Sequence, residues 1–344
     1  MMYINKIKTI EKNKCPVCTT VGEFLYGNLT DKLFHTSGYW SFFKCKNSDC
    51  NLIWLNPMPI EEDISIAYQN YYTHADDITN INTFKMWYKK IQTEYLSAEY
   101  GYDTPNYSLL KNILYLDPDR LEQTKYDVMY LRNTKGKLLD IGCGSGVFLD
   151  FMKNHGWETT GLDFDKKAVE AAKKKNLNVI LGTLEAQNFP NNYFDAITLA
   201  HVIEHVYNPI ELIKECYRIL QTNGKIVIST PSSESLGHKY FKKNWRGLEP
   251  PRHIQIFSRK SIIHLIKLSG FQKFSSFTTS RISRYIYRSS QNPSLNNSKT
   301  DEIGSFIKIK SRLFSILEWV LIKLKVECGE EVIMIAEKKI GILD

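Results

Sequence analysis

A doubly wound α/β sheet, mostly parallel, is the fold this sequence predicts, and three observations carry the expectation. The first is Lys137 to Gly146, Lys-Leu-Leu-Asp-Ile-Gly-Cys-Gly-Ser-Gly, an apolar run that stops in alternating glycines. It reads as a buried strand feeding a ligand-binding turn. The second is the apolar run Thr159 to Leu162, closed by Asp163, 23 residues after Asp140. A doubly wound sheet sets a carboxylate at such a strand end against ribose hydroxyls. The third is the regular alternation of short apolar runs with helical stretches after Lys137.

The elements follow in order. Val147 to His155 supplies a helix behind the glycine turn, with Gly156 as its C-cap. A turn without side chains lets the backbone approach a ligand closely, with helix amides pointing at it. The spacing Gly-x-Gly-x-Gly lacks the displaced third glycine of the dinucleotide fingerprint, so the ligand expected is a nucleoside without a pyrophosphate. Asp165 caps a helix through Lys175, and Val179 to Leu181 and Phe194 to Leu199 are strands. Asn208-Pro209 opens a helix to Leu220, and Asn223-Gly224 turns into a strand over Lys225 to Thr230. Ser258 caps a helix over Arg259 to Ser269, Gly270 ends it, and Phe271 to Thr279 and Glu331 to Glu337 complete the sheet.

Asp140-Ile-Gly-Cys-Gly-Ser-Gly146, Gly161-Leu-Asp163 and Phe194-Asp-Ala-Ile-Thr-Leu199, occurring in that order, resemble the class I S-adenosylmethionine-dependent methyltransferases from Leu138 to Phe271. The resemblance implies a seven-stranded sheet, mostly parallel with an antiparallel edge strand. It implies a cofactor site in which Asp140 and the backbone of Gly142, Cys143, Gly144 and Gly146 lie near the methionine half of S-adenosylmethionine. Asp163 would accept from the ribose, Phe164 would stack on adenine, Thr183 and Leu184 would hold the adenine edge, and Ala200 would border the cofactor.

At 344 residues and 43% hydrophobic content the chain can build one large core with smaller attachments. We divide it into a knuckle module over 1–60, a helical lid or linker over 61–131 and the α/β domain over 132–344, with a helical insertion at about 285–326. No charge-free apolar run reaches the ~20 residues that span a bilayer, and Met1 to Lys14 lacks the apolar centre of a signal peptide, so a cytoplasmic location is expected. A net charge of +8 fits anionic partners without choosing among them.

Four of the seven cysteines form Cys15-x2-Cys18 and Cys45-x4-Cys50. Two knuckles of thiolates are the pattern of a structural zinc site, and the short segment between them needs a metal to fold. Such knuckles, followed by a stretch like Leu52-Ile-Trp-Leu-Asn-Pro57, resemble those of methyltransferases from bacterial surface-sugar pathways. The region 61–131 is aromatic-rich, with Tyr68, Tyr71, Tyr72, Trp87, Tyr88, Tyr95, Tyr100, Tyr102 and Tyr107 read mostly as packing.

A hydroxyl acceptor must lose a proton, and two histidines in loops after strands are the candidate catalytic residues: His205 and His253. His201-x-x-Glu204-His205 read alone matches an inverted zinc-protease motif, but its place directly after a strand of the nucleotide-binding sheet favours a loop role. Similar quinone-pathway O-methyltransferases carry acids and a histidine here and use a divalent ion; His201 replaces one of the acids. The acceptor expected is a sugar hydroxyl on a nucleotide-linked or lipid-linked glycan precursor, with C-methylation of a keto-sugar and a small phenolic or quinone acceptor as alternatives. A zinc-ribbon nucleic-acid-binding protein is the rival from another class. It calls for a concentrated basic stripe, whereas the lysines and arginines are scattered among acids, so no nucleic acid is expected. Ile303 to Val326 reads as an amphipathic helix whose apolar face (Phe306, Ile309, Leu313, Ile316, Leu317, Val320, Leu324) meets the protein's own core, a second copy or, given Lys308, Lys310, Arg312, Lys323 and Lys325, the inner face of a membrane.

Overall fold

The computed structural model describes residues 7–68, 83–102, 109–132, 135–292 and 304–339. Tyr71, Tyr72, Tyr107, Ile303 and the greater part of the polar tract Ser289 to Thr300 lie outside the described residues. The helices are α1 (Thr83–Tyr95), α2 (Pro118–Tyr126), α3 (Val147–Asn154), α4 (Lys166–Lys174), α5 (Pro209–Ile219), α6 (Leu236–Phe241), α7 (Arg259–Leu268), α8 (Ser283–Gln291) and α9 (Ser305–Lys323). The strands are β1 (Thr9–Ile10), β2 (Gly22–Leu29), β3 (Trp40–Cys45), β4 (Ile53–Leu55), β5 (Met58–Pro59), β6 (Lys137–Ile141), β7 (Glu158–Asp163), β8 (Val179–Leu181), β9 (Phe194–Ala200), β10 (Leu220–Pro231), β11 (Gln255–Ile256), β12 (Lys273–Thr279) and β13 (Glu331–Glu337).

The expected seven-stranded sheet is present, in the order β12-β13-β10-β9-β6-β7-β8, mostly parallel with an antiparallel edge strand. β6 pairs in parallel with β7 and β9, and β7 with β8. Leu138 and Leu139 of β6 and Ile197 and Leu199 of β9 are fully buried, as a strand covered on both faces requires. Local caps behave as the sequence implies. The Asp165 carboxylate accepts from the Lys167 amide at 2.8 Å, and Ser258 and Ser261 form a reciprocal capping box. One boundary differs. Helix α5 ends at Ile219 and β10 begins at once, because Asn223 and Gly224, expected as a turn, pair with Lys338 through the Asn223 amide (2.8 Å) and the Gly224 carbonyl (3.0 Å).

Two compact units divide the chain. One comprises residues 72–200, 215–227 and 335–344, the other 1–71, 201–214 and 228–334, so the N-terminal segment falls in one unit with the second half of the chain. In the first unit the helical stretch buries Ile91, Tyr95, Leu96 and Tyr102, whose hydroxyl donates to the Leu131 carbonyl at 3.0 Å. In the second unit a four-stranded sheet, β11-β4-β3-β2, forms around buried Trp40, Phe42 and Trp54. Its strand β11 comes from the far end of the chain and pairs antiparallel with β4, Gln255 opposite Trp54.

Beside β11 lies Arg252, fully buried. Its guanidinium donates twice to Asp31, at 2.7 and 2.9 Å, and once each to Glu249 at 2.8 Å and the Ala67 carbonyl at 3.2 Å, while the Phe34 ring lies 4.5 Å away. Removing one partner of such a pair strands the other charge away from water. Arg252→Met is therefore expected to lower the unfolding free energy at neutral pH by about 3–5 kcal/mol, measured by chemical denaturation.

Candidate active site

Strand β6 ends in the glycine turn, where Gly142, Gly144 and Gly146 adopt φ of 73°, 55° and 77°. These left-handed values favour glycine. At Gly144 a Cβ would meet nothing within 4 Å, so the turn is open on that side, whereas at Gly146 it would meet the Leu177 side chain at 2.5 Å. The Asp163 carboxylate at the end of β7 braces the turn: one oxygen accepts from the Gly144 amide and the other from the Asp165 amide, both at 2.8 Å. A doubly wound sheet sets a carboxylate at such a strand end against ribose hydroxyls. Phe164, the next residue, is 62% exposed.

Asp140 is paired in register with Thr198 of β9, whose hydroxyl donates to it at 2.6 Å. Burial pushes the Asp140 carboxyl up to about 7, the Thr198 hydrogen bond works against the rise, and the charge of Asp163 adds to it. Cys143 has a different role from its neighbours: its side chain belongs to the cluster of Leu149, Val169, Ala172, Leu177 and Val179. Only its backbone lines the turn. Thr183 is exposed, Leu184 buried and Ala200 half-buried. The Thr183 carbonyl accepts from the Gln187 side chain at 3.0 Å.

The other unit holds a network of histidines and carboxylates. His201 stands at φ 55°, with its ring nitrogens 3.2 Å from Glu204 and 2.7 Å from Glu331. Carboxylates only accept, so both contacts are hydrogen bonds when both nitrogens carry hydrogen. Burial works to raise the Glu204 carboxyl, but the His201 hydrogen bond and the histidine charges overcome it and hold it at about 2. Glu331 is likewise held at about 2 against burial, chiefly by Arg281, which donates to it at 2.9 Å. Thr230 donates to the second oxygen of Glu204 at 3.0 Å.

The two candidate histidines are adjacent, with ring centroids 4.9 Å apart, but they differ in kind. His253 is buried, and burial drives it down to about 4, so it is neutral at neutral pH. Its Nδ1 lies 2.8 Å from the Gly247 carbonyl. His205 is half-buried, and its Nδ1 lies 2.9 Å from the Arg252 carbonyl and 3.0 Å from the Tyr68 hydroxyl. A carbonyl cannot donate, so Nδ1 carries the hydrogen, and in the neutral ring Nε2 is then the nitrogen with the lone pair. Glu204, His205 and His253 also bring one ligand atom each within 4.8 Å of one another, a donor set that could hold a cation. Tyr68, Arg281 and Glu331 join the network unforeseen. Glu331 lies 130 residues from His201, a separation that leaves no local signal.

Residues 111–276 match the family described as Methyltransferase domain. That match covers a little under half of the chain. The "Ubiquinone biosynthesis O-methyltransferase" of Coxiella burnetii is 30% identical over 128 residues, 35% of this chain and 53% of that protein. The protein of the same name from Vibrio cholerae is 32% identical over 101 residues, 27% of this chain and 41% of that one. The similarity thus spans about half the length of these curated relatives. Among solved structures, a SAM-dependent methyltransferase from Archaeoglobus fulgidus is similar with a TM-score of 0.44 and 19% identity, covering 75% of this chain and all (100%) of that one. The phosphoethanolamine N-methyltransferase 2 of Haemonchus contortus, solved with S-adenosyl-L-methionine, gives a TM-score of 0.45 and 14% identity over 93% of this chain and 69% of that one.

Outside the residues matched to that family, the thiols of Cys15, Cys18, Cys45 and Cys50 all lie within 4.8 Å of one another, with Cys15 and Cys50 at 3.6 Å and Cys18 and Cys45 at 3.4 Å. Tetrahedral zinc with ~2.3 Å bonds to sulfur sets its thiolates about 3.8 Å apart, so this donor set fits that ion. Three of the four cysteines are buried.

The raised Asp140 carboxyl has a consequence for stability. An unfolded aspartate titrates near ~3.9, so Asp140 contributes stability below that pH and loses it as pH rises through about 7. Asp140→Asn does not carry that loss: without ligand, the variant's unfolding free energy relative to the parent should shift in its favour between pH 5 and 8, read by chemical denaturation.

Proposed function

We propose that this protein is an S-adenosylmethionine-dependent methyltransferase that methylates a hydroxyl, with a sugar of a nucleotide-linked or lipid-linked glycan precursor as acceptor. The single observation that carries the cofactor assignment is the place of Asp163, which ends β7, braces the glycine turn through the Gly144 amide and is followed by exposed Phe164. S-adenosylmethionine, when bound, supplies a methyl group activated by a sulfonium. The protein's part is to hold and to orient. Asp163 accepts from the ribose, Phe164 offers a face to adenine, the Gly142 to Gly146 backbone admits the methionine half, and Asp140 accepts from its ammonium group. The buried side chain of Leu184 leaves the adenine edge to the backbone there and to Thr183.

On the acceptor side, His205 Nε2 takes the proton of the hydroxyl, its tautomer fixed by the Arg252 carbonyl. His253, neutral and buried, acts as a positioning residue against the His205 ring. Alignment of the reacting atoms is worth up to ~7–11 kcal/mol, and the base a further ~100- to 10,000-fold. The sugar acceptor is supported by the cysteine knuckles and the Leu52 to Pro57 stretch. The curated relatives favour a second reading, a phenolic hydroxyl, since they are named as ubiquinone O-methyltransferases.

The four cysteines hold a structural zinc ion that orders the segment between them. One equivalent of zinc per chain is expected by elemental analysis; Cys45→Ser should lower that content and the melting temperature together. Transfer of labelled methyl groups to sugar nucleotides and, in parallel, to catechols tests the acceptor. Product from a sugar nucleotide is expected, with His205→Gln slowing kcat by roughly 100- to 10,000-fold while S-adenosylhomocysteine affinity is unchanged. Product from catechols alone would overturn the sugar reading, and failure of folded protein to bind S-adenosylhomocysteine would overturn the enzyme reading.

A further inference from the structure

Helix α9 is turned inside out. Phe306, Ile309, Leu313, Ile316, Leu317, Val320 and Leu324 are between 39% and 69% exposed. At 100° per residue they form one continuous stripe. The opposite face buries polar side chains instead: Ser311, Ser315 and Glu318. These are held in place, since Arg288 of α8 donates to the Ser311 hydroxyl at 2.9 Å and Glu318 accepts from the Glu330 amide at 2.7 Å. Phe314, at the edge of the buried face, lies 5.1 Å from the Tyr287 ring and 5.9 Å from exposed Tyr240. The apolar stripe is therefore not displaced core; the protein supports the helix on its polar side and presents the apolar side outward.

Charge decides what covers the stripe. Lys310 flanks it on one edge and Arg312 and Lys323 on the other, with Lys308 and Lys325 beyond them. Between Ser305 and Val326 the single acid is Glu318, which is buried. A second copy brought against this face by a two-fold axis would oppose cation to cation along both edges. A surface of anionic headgroups over an apolar interior complements both features at once. No described helix is long and apolar enough to cross a membrane, so α9 would lie in the plane of the interface. We propose that the exposed face of α9 docks the protein onto an anionic lipid bilayer, with the seven apolar side chains entering the headgroup boundary and Lys310, Arg312 and Lys323 meeting lipid phosphates. The proposal does not depend on the identity of the methyl acceptor.

Co-sedimentation of the full chain with vesicles tests it, comparing phosphatidylcholine alone with phosphatidylcholine containing phosphatidylglycerol. The anionic vesicles should bind at least about tenfold more protein, and added salt should weaken that binding. Leu313→Glu and Leu317→Glu, both at exposed positions, should abolish it while leaving the melting temperature and S-adenosylhomocysteine binding unchanged. Equal sedimentation with both vesicle types would overturn the proposal. So would a concentration-dependent dimer, seen by analytical ultracentrifugation, that the same substitutions dissolve.

Discussion

A guanidinium out of reach of water must have its donors satisfied by the protein, and Arg252 meets that constraint with groups from three parts of the sequence. Asp31, the Ala67 carbonyl and Glu249 surround it, while its own carbonyl fixes the His205 ring. The N-terminal segment is thereby tied to the acceptor-side histidines through one side chain. Asp31 in turn is shaped by the backbone, since the amides of Leu33, Phe34 and Thr36 all point at its carboxylate. That loop lies between Cys18 and Cys45, so whatever orders the cysteines also helps order the carboxylate that satisfies Arg252.

The glycine turn shows a second division of labour, between backbone and side chain. Gly144 leaves open space, Gly146 gives way to Leu177, and Cys143 sends its sulfur into the core. A buried anchor, an opening and a close approach thus fall on positions 143, 144 and 146 of one short turn. Asp163 ties that turn to the neighbouring strand through the Gly144 amide, while its other oxygen accepts from the Asp165 amide of its own segment.

What was legible in the sequence is what local chemistry specifies. The seven-stranded sheet, the Asp165 and Ser258 caps and the positive-φ glycines follow from neighbours a few residues apart. Strand β2 was not foreseen because Gly27 interrupts it and its residues are half-buried or exposed without alternation, which removes the pattern a half-buried strand shows. Strand β11 is two residues long and exists by pairing with β4. The Arg252–Asp31 pair joins positions 221 residues apart, and no periodicity reports such a contact. The apolar period of α9 was legible, but not its direction, because period reveals that a face is apolar and not which side meets the protein.

The histidine network separates its members by charge. His201 lies between two buried carboxylates with a ring nitrogen on each, and when both nitrogens carry hydrogen it has no lone pair to offer a substrate. His253 is buried and neutral. Of the three, His205 combines partial exposure with an Nδ1 hydrogen fixed by a carbonyl. The same logic bears on a divalent ion at Glu204, His205 and His253. Each oxygen of Glu204 already accepts a hydrogen bond, one from His201 and one from Thr230. A cation there would have to displace one of those hydrogen bonds, and a His201 protonated on both nitrogens would oppose it with a charge of the same sign.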